Sequence, residues 1–257
     1  MLLGLAFLLL AQTAGLGINP GRVEVEMKAG QEKTIAFEIE APPSDVPMRG
    51  RLTLTLADWH IDEEAGVTYS DAGAQPDSAA PWIVFSPAAM NISSGQKQVV
   101  RVTVRLPHDV QPGDYRTAIF IQERPPATPP GRDEHLVYVR FRYVFFLYVV
   151  VPPVSIQAEL LDVALQIQPR GAHLVCVLKN SGSRHVRPYI TWYIRGEDQH
   201  VVSSVKQYEA TVLLPFSSIN ERFPIEDLPP GKYEITAQVD FQDNAALQSI
   251  TRTVNLH

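Results

Sequence analysis

Asp58, His60 and Asp62 alternate along one predicted strand, with Glu63 and Glu64 directly after them. A histidine among carboxylates suits several divalent ions, so this is the first place to look for chemistry. The stretch runs straight into the turn Glu64-Ala65-Gly66, however, and a polar face entering a turn is what a solvated strand presents. That second reading is the stronger. The remaining histidines, His108, His135, His173, His185, His200 and His257, show no zinc-ligand spacing, and the single cysteine, Cys176, offers no pair. Cys176 alternates with Leu174 and Leu178, which reads as a small buried hydrophobe. There is no Gly-x-Ser-x-Gly elbow and no glycine-rich phosphate loop leading into a helix. Trp59, Trp82 and Trp192 sit in strand-like runs and read as core rather than as platforms for sugar rings. Asn91-Ile92-Ser93 matches a glycosylation acceptor, a motif too short to carry weight. No catalytic group, metal or cofactor is expected.

The elements that would position any such residues are strands. The 21 prolines and 15 glycines punctuate short alternating runs, and no long stretch has helical periodicity, so the chain reads as all-β. A net charge of −6 with both signs dispersed favours neither nucleic acid nor an anionic membrane as partner. Residues 1–17 begin with an uncharged apolar run to Leu10 followed by small residues, the pattern of a signal peptide. Export to a periplasm is the expected fate, with the extracellular space as the alternative. No membrane span is expected after its removal. The apolar run from Tyr143 to Val151 is far shorter than the roughly 20 residues a spanning helix needs.

Two domains are expected, residues 18–151 and 154–257, joined by the stiff connector Pro152-Pro153. In the first, strands are predicted over Arg22–Met27, Thr34–Glu40, Arg51–Ile61, Ile83–Phe85, Lys97–Leu106 and Tyr115–Gln122, followed by one long last strand. In the second they are predicted over Leu161–Gln168, His173–Lys179, Tyr189–Arg195, Thr211–Leu214, Arg222–Ile225, Tyr233–Phe241 and Ile250–Leu256. Each domain places a tyrosine two residues after a Pro-Gly turn, at Tyr115 and Tyr233. A tyrosine there can pin the corner of an immunoglobulin-like sandwich through its hydroxyl. The fold expected is two immunoglobulin-like β-sandwich domains in tandem, set at an angle as in a boomerang.

The long last strand, His135 to Val151, organises the rest. Its odd positions, Val137, Val139, Phe141, Tyr143, Phe145, Leu147, Val149 and Val151, are apolar without a break and fit a core face. Its even positions, among them Tyr138, Arg140, Arg142, Val144, Phe146 and Tyr148, put large apolar groups and two arginines on the face that water would normally have. Such a face wants a partner.

The whole mature chain resembles the periplasmic chaperones of pilus assembly by the chaperone–usher route. The resemblance is carried by Gly21-Arg22-Val23-Glu24-Val25 before a turn and a second strand, and by Pro81-Trp82-Ile83-Val84-Phe85-Ser86-Pro87 before a Val-rich strand. It is completed by the long strand ending at the interdomain proline. It implies that Arg22 binds the C-terminal carboxylate of a client, a task that suits a guanidinium fork. It implies too that Tyr138, Arg140, Arg142, Val144, Phe146 and Tyr148 pair with or enter an incomplete subunit sandwich, with no nucleotide or cofactor. Partners implied are pilus or other surface-fibre subunits and an outer-membrane usher, and the empty strand would be covered by self-association. The family's lysine on the last strand is missing, because that neighbourhood here is Phe146-Leu147-Tyr148. The other reading is a secreted structural or adhesive module that binds surface proteins or polysaccharide. In such a module the even face would be covered by the molecule itself.

Overall fold

The computed structural model describes residues 15–43, 49–123, 141–168, 171–226, 228–242 and 247–256. The expected strand positions 135–140, and with them Tyr138 and Arg140, lie outside the described residues, as does the signal-like segment up to residue 14. The first half of the chain supplies β1 (Gly17–Asn19), β2 (Arg22–Glu26), β3 (Glu32–Glu40), β4 (Arg49–Ile61), β5 (Val67–Asp71), β6 (Ile83–Ser86), β7 (Ala89–Ser93), β8 (Lys97–Arg105), β9 (Gly113–Glu123) and β10 (Arg142–Val151). The second half supplies β11 (Ala158–Gln168), β12 (Gly171–Asn180), β13 (Tyr189–Arg195), β14 (Val201–Glu209), β15 (Ser217–Ile225), β16 (Gly231–Asp240) and β17 (Gln248–Leu256).

These strands form four sheets that pair into two sandwiches. In the first, the order β1-β3-β8-β6 faces the order β2-β10-β9-β4-β5, with β7 added beside β4. In the second, β11-β12-β15 faces β14-β13-β16-β17. The period-2 alternation of Phe37 and Ile39 in β3, and of Val100, Val102 and Val104 in β8 and its end, turns those side chains onto Leu52, Leu54, Ile119, Ile121, Phe145, Leu147 and Val149 of the opposite sheet. Phe37 and Phe145 stack across the gap with ring centroids 4.2 Å apart. The second core is built the same way from Leu174, Cys176 and Leu178 against Ile190, Trp192, Ile194, Ile235, Ala237 and Val239. Burial pushes the Cys176 thiol pKa far above its ordinary value, as expected of a thiol used as a hydrophobe. Both tyrosine corners form, with Tyr115 donating to the Gln111 carbonyl at 3.0 Å and Tyr233 to the Pro229 carbonyl at 2.9 Å.

Three expectations need correction. Thr211–Leu214 is not a strand but a loop with one isolated bridge, Val186 to Leu213, whose apolar side chains plug the second core. An apolar run of this length is equally compatible with a strand and with a buried plug. β14 fell outside the predicted strands because its side chains are mostly exposed or half-buried and lack clean alternation. Phe141 was expected to face the core, but it precedes β10 and is half exposed.

The two faces of β10 should therefore differ in stability. Phe145→Ala is expected to cost about 3–5 kcal/mol and Val144→Ala about 1 kcal/mol or less, measured by chemical denaturation.

Candidate strand-binding cleft

The long strand is made by sequence: from Arg142 to Val151 it is nearly continuous in β-branched and aromatic residues and has no glycine or proline until the connector. β10 pairs antiparallel with β9 along its whole length, from Arg142 opposite Gln122 to Val151 opposite Gly113. On its other edge it pairs in parallel with β2, but only from Phe146 opposite Arg22 to Val150 opposite Glu26. The Phe146 N–H donates to the Gly21 carbonyl at 3.0 Å, which fixes the edge to which even-numbered backbone groups point. By the same alternation the N–H and C=O of Arg142 and Val144 point to that edge as well, beyond the end of β2. No strand among the described residues pairs with them there. β1, which precedes β2, has crossed to the opposite sheet to pair with β3.

The outward face of this sheet is aromatic. Phe146 meets the Trp59 indole edge-on at 5.0 Å, and Tyr148 meets it edge-on at 5.6 Å. Next to them Phe120 carries the Arg142 guanidinium 4.4 Å above its ring and touches Tyr69 at 4.9 Å. Trp59 is held in turn by Arg116, whose Nε donates to the Trp59 carbonyl at 3.0 Å while Nη1 pairs with Asp77 at 2.6 Å.

Tyr148 departs from its expected role as an inserted residue. It is 2% exposed, stacked on His185 of the second sandwich at 4.3 Å with the Arg187 guanidinium 4.8 Å over its ring. Burial raises its phenol pKa, against the opposing effect of Arg187. Its side chain belongs to the joint between the sandwiches and is not free to enter a partner. Val144 and Phe146 stay half-buried and Arg142 exposed.

Arg22, at the start of β2, faces the second sandwich and forms a bidentate pair with Glu209 at the end of β14, at 2.5 and 3.0 Å. Arg187 stands 3.9 Å from the same carboxylate and the Tyr189 hydroxyl donates to it at 3.4 Å. Hydrogen bonding to Arg22, opposed by partial burial, holds the Glu209 carboxyl below its ordinary pKa and raises that of Arg22. Arginines 165 positions apart in sequence thus converge on one carboxylate. Sequence reasoning missed Arg187 and Glu209, since nothing in their spacing links them to Arg22.

The first place considered for metal chemistry resolves into structural roles. Asp58 is buried and accepts from the Gln75 N–H at 2.9 Å and the Ser78 hydroxyl at 2.6 Å, so it anchors a loop rather than facing solvent. His60 bonds Thr68, and Asp62 accepts from the N–H groups of Glu64 and Gly66 in the turn. No cluster of His, Cys, Asp and Glu among the described residues is arranged to hold a metal, and no described helix is long and apolar enough to cross a membrane.

The pair at the cleft sets a pH-dependent expectation. The contribution of Glu209 is present above the ordinary glutamate value of about 4.3 and is lost as pH falls through its lowered folded value. Glu209→Gln should lower stability at neutral pH by about 1 kcal/mol or less, because the pair is half exposed. Thermal unfolding should show that difference vanish on acidification.

No family of known sequences matches the chain, and no curated protein does. Among solved structures it is similar to the CsuC–CsuE chaperone–tip subunit pre-assembly complex from archaic chaperone-usher Csu pili of Acinetobacter baumannii, at 16% identity and a TM-score of 0.48, covering 93% of this chain and 98% of that one. It is also similar to the class 5 fimbriae chaperone CfaA, at 9% identity and 0.47 over 93% and 98% of the two chains. A further similar structure is the E. coli chaperone DraB, at 15% and 0.42 over 94% and 98%.

Proposed function

We propose that the protein is a periplasmic chaperone that binds subunits of a pilus or other surface fibre by pairing its β10 edge with an extended segment of the client. The carrying observation is that β2 stops at Arg22 while β10 continues to Arg142, so backbone groups of Arg142 and Val144 have no strand beside them among the described residues. A strand laid there would gain main-chain hydrogen bonds and meet the side chains of Val144 and Phe146 on the outward face. It would also end beside Arg22 and Arg187, which together suit a carboxylate. The resemblance of Gly21-Arg22-Val23 and of the long strand to the chaperone family agrees with this arrangement. The protein on this reading is a binder and not a catalyst, it uses no cofactor, and an outer-membrane usher would receive the loaded complex.

The client-pairing residues are then Arg142, Val144 and Phe146, with Arg22 at the carboxylate end. Tyr148 contributes by holding the joint. Glu209 occupies the place where a client carboxylate would bind, so client docking is an exchange of one carboxylate for another. That same internal pairing favours the second reading, a self-contained structural or adhesive module, because it leaves the cleft satisfied without a partner.

Val144→Pro separates the two. Proline removes an N–H that points to the edge where no described strand pairs and leaves the pairing with β9 intact, a substitution that edge positions tolerate. The protein is purified from the periplasm of its host and examined by native mass spectrometry. The chaperone reading expects a stoichiometric partner that is lost in Val144→Pro while circular dichroism is unchanged, and protection of the Arg142 and Val144 amides in the complex. A partner retained by the variant, or a partner-free monomer in both, overturns it.

A further inference from the structure

His185 lies on the segment between β12 and β13 and is driven into the first sandwich. It is buried, stacked flat on Tyr148 of β10, and both of its ring nitrogens meet carboxylates of the first sandwich. Nδ1 is 2.5 Å from Asp114 Oδ2 at the start of β9, and Nε2 is 3.2 Å from Glu24 Oε2 on β2. The Asp114 oxygen also accepts the His185 backbone N–H at 2.6 Å. A neutral imidazole has one N–H and one lone pair, so it can satisfy only one of these acceptors and must turn its lone pair toward the other. The imidazolium satisfies both. The remaining charged groups around it are Arg184, which pairs with Glu24 at 2.5 Å and stands 3.9 Å from Glu26, and Arg187 and Arg116, which act on the Tyr148 phenol.

We propose that His185 is a proton-operated latch between the two sandwiches, gripping β2 through Glu24 and the start of β9 through Asp114 only while its ring carries both protons. Loss of one proton keeps the Asp114 contact, which the backbone N–H reinforces, and opposes a lone pair to Glu24. The grip on β2 fails first. Since β2 also carries Arg22, the latch sets how firmly the cleft is held, whatever occupies that cleft.

The electrostatics have the matching direction. Burial alone would lower the His185 pKa, but hydrogen bonds to Asp114 and Glu24, and their charges, outweigh it and raise it. The hydrogen bond from His185, then Arg184, holds the Glu24 carboxyl down at about 2 against its partial burial. A histidine raised on folding contributes stability that is fully present below its unfolded value of about 6.5 and is lost as pH rises through the folded value. Glu24 stays charged throughout that range, so the latch closes toward acid and opens toward alkali.

Nitrogen-15 NMR of the imidazole in the unmodified protein reads the protonation state directly. Both ring nitrogens should be protonated at about pH 6.5, with a midpoint displaced upward from that free value. Spin labels placed by Lys28→Cys and Lys232→Cys, one on each sandwich, report the joint, since Cys176 is buried and stays unlabelled. The distance distribution should be narrow below the midpoint and broaden above it, while His185→Gln should be broad at every pH. A neutral His185 at about pH 6.5 overturns the proposal, and so does a distribution with the same pH response in the presence and absence of the histidine. Neither measurement depends on a client, so the latch can fail while the chaperone reading stands.

Discussion

A β-strand has two faces and two edges, and almost everything in this protein follows from how β10 spends them. Its odd face closes the first core through Phe145, Leu147, Val149 and Val151. Its even face changes role along its length: Tyr148 and Val150 are buried, while Val144 and Phe146 remain half open. One edge is fully paired with β9 and the other is paired for about half its length by β2. A half-open face and, among the described residues, half of one edge are what remain when folding has used the rest of the strand.

That division was partly visible in the residues. Strict alternation marks a face, so the core positions of β3, β8, β10, β12 and β16 could be read directly, and the paired Pro-Gly turns located both tyrosine corners. What alternation cannot encode is which buried face meets which element. Tyr148 and Phe146 look alike in sequence, yet one is sealed under His185 and Arg187 and the other is not. Arg22 could be singled out by its neighbours, but the partner it finds, Glu209, is brought to it only by the placement of the second sandwich. Strands without a buried face of their own, the three-residue β1 and the exposed to half-buried β14, left no periodic signal to find.

The joint itself is largely electrostatic at its rim and aromatic at its centre. Arg22 with Glu209, Arg184 with Glu24, Arg222 with Glu64 and His185 with Asp114 bridge the sandwiches, and the Asn220 N–H donates to the Glu63 carbonyl at 2.7 Å. Pairs as exposed as most of these add little stability each. They choose an orientation instead, because each fixes the distance between one point on each sandwich.

The aromatic centre has a different consequence. Trp59, Ile61, Ala118 and Tyr148 belong to the first sandwich by chain and sheet, yet they share a continuous apolar cluster with the core of the second. A bead-on-a-string protein lets one module melt while its neighbour stands. Here, unfolding either sandwich strips Trp59 and Tyr148 of part of their packing, so the stabilities of the two modules are coupled and damage to one is felt by the other.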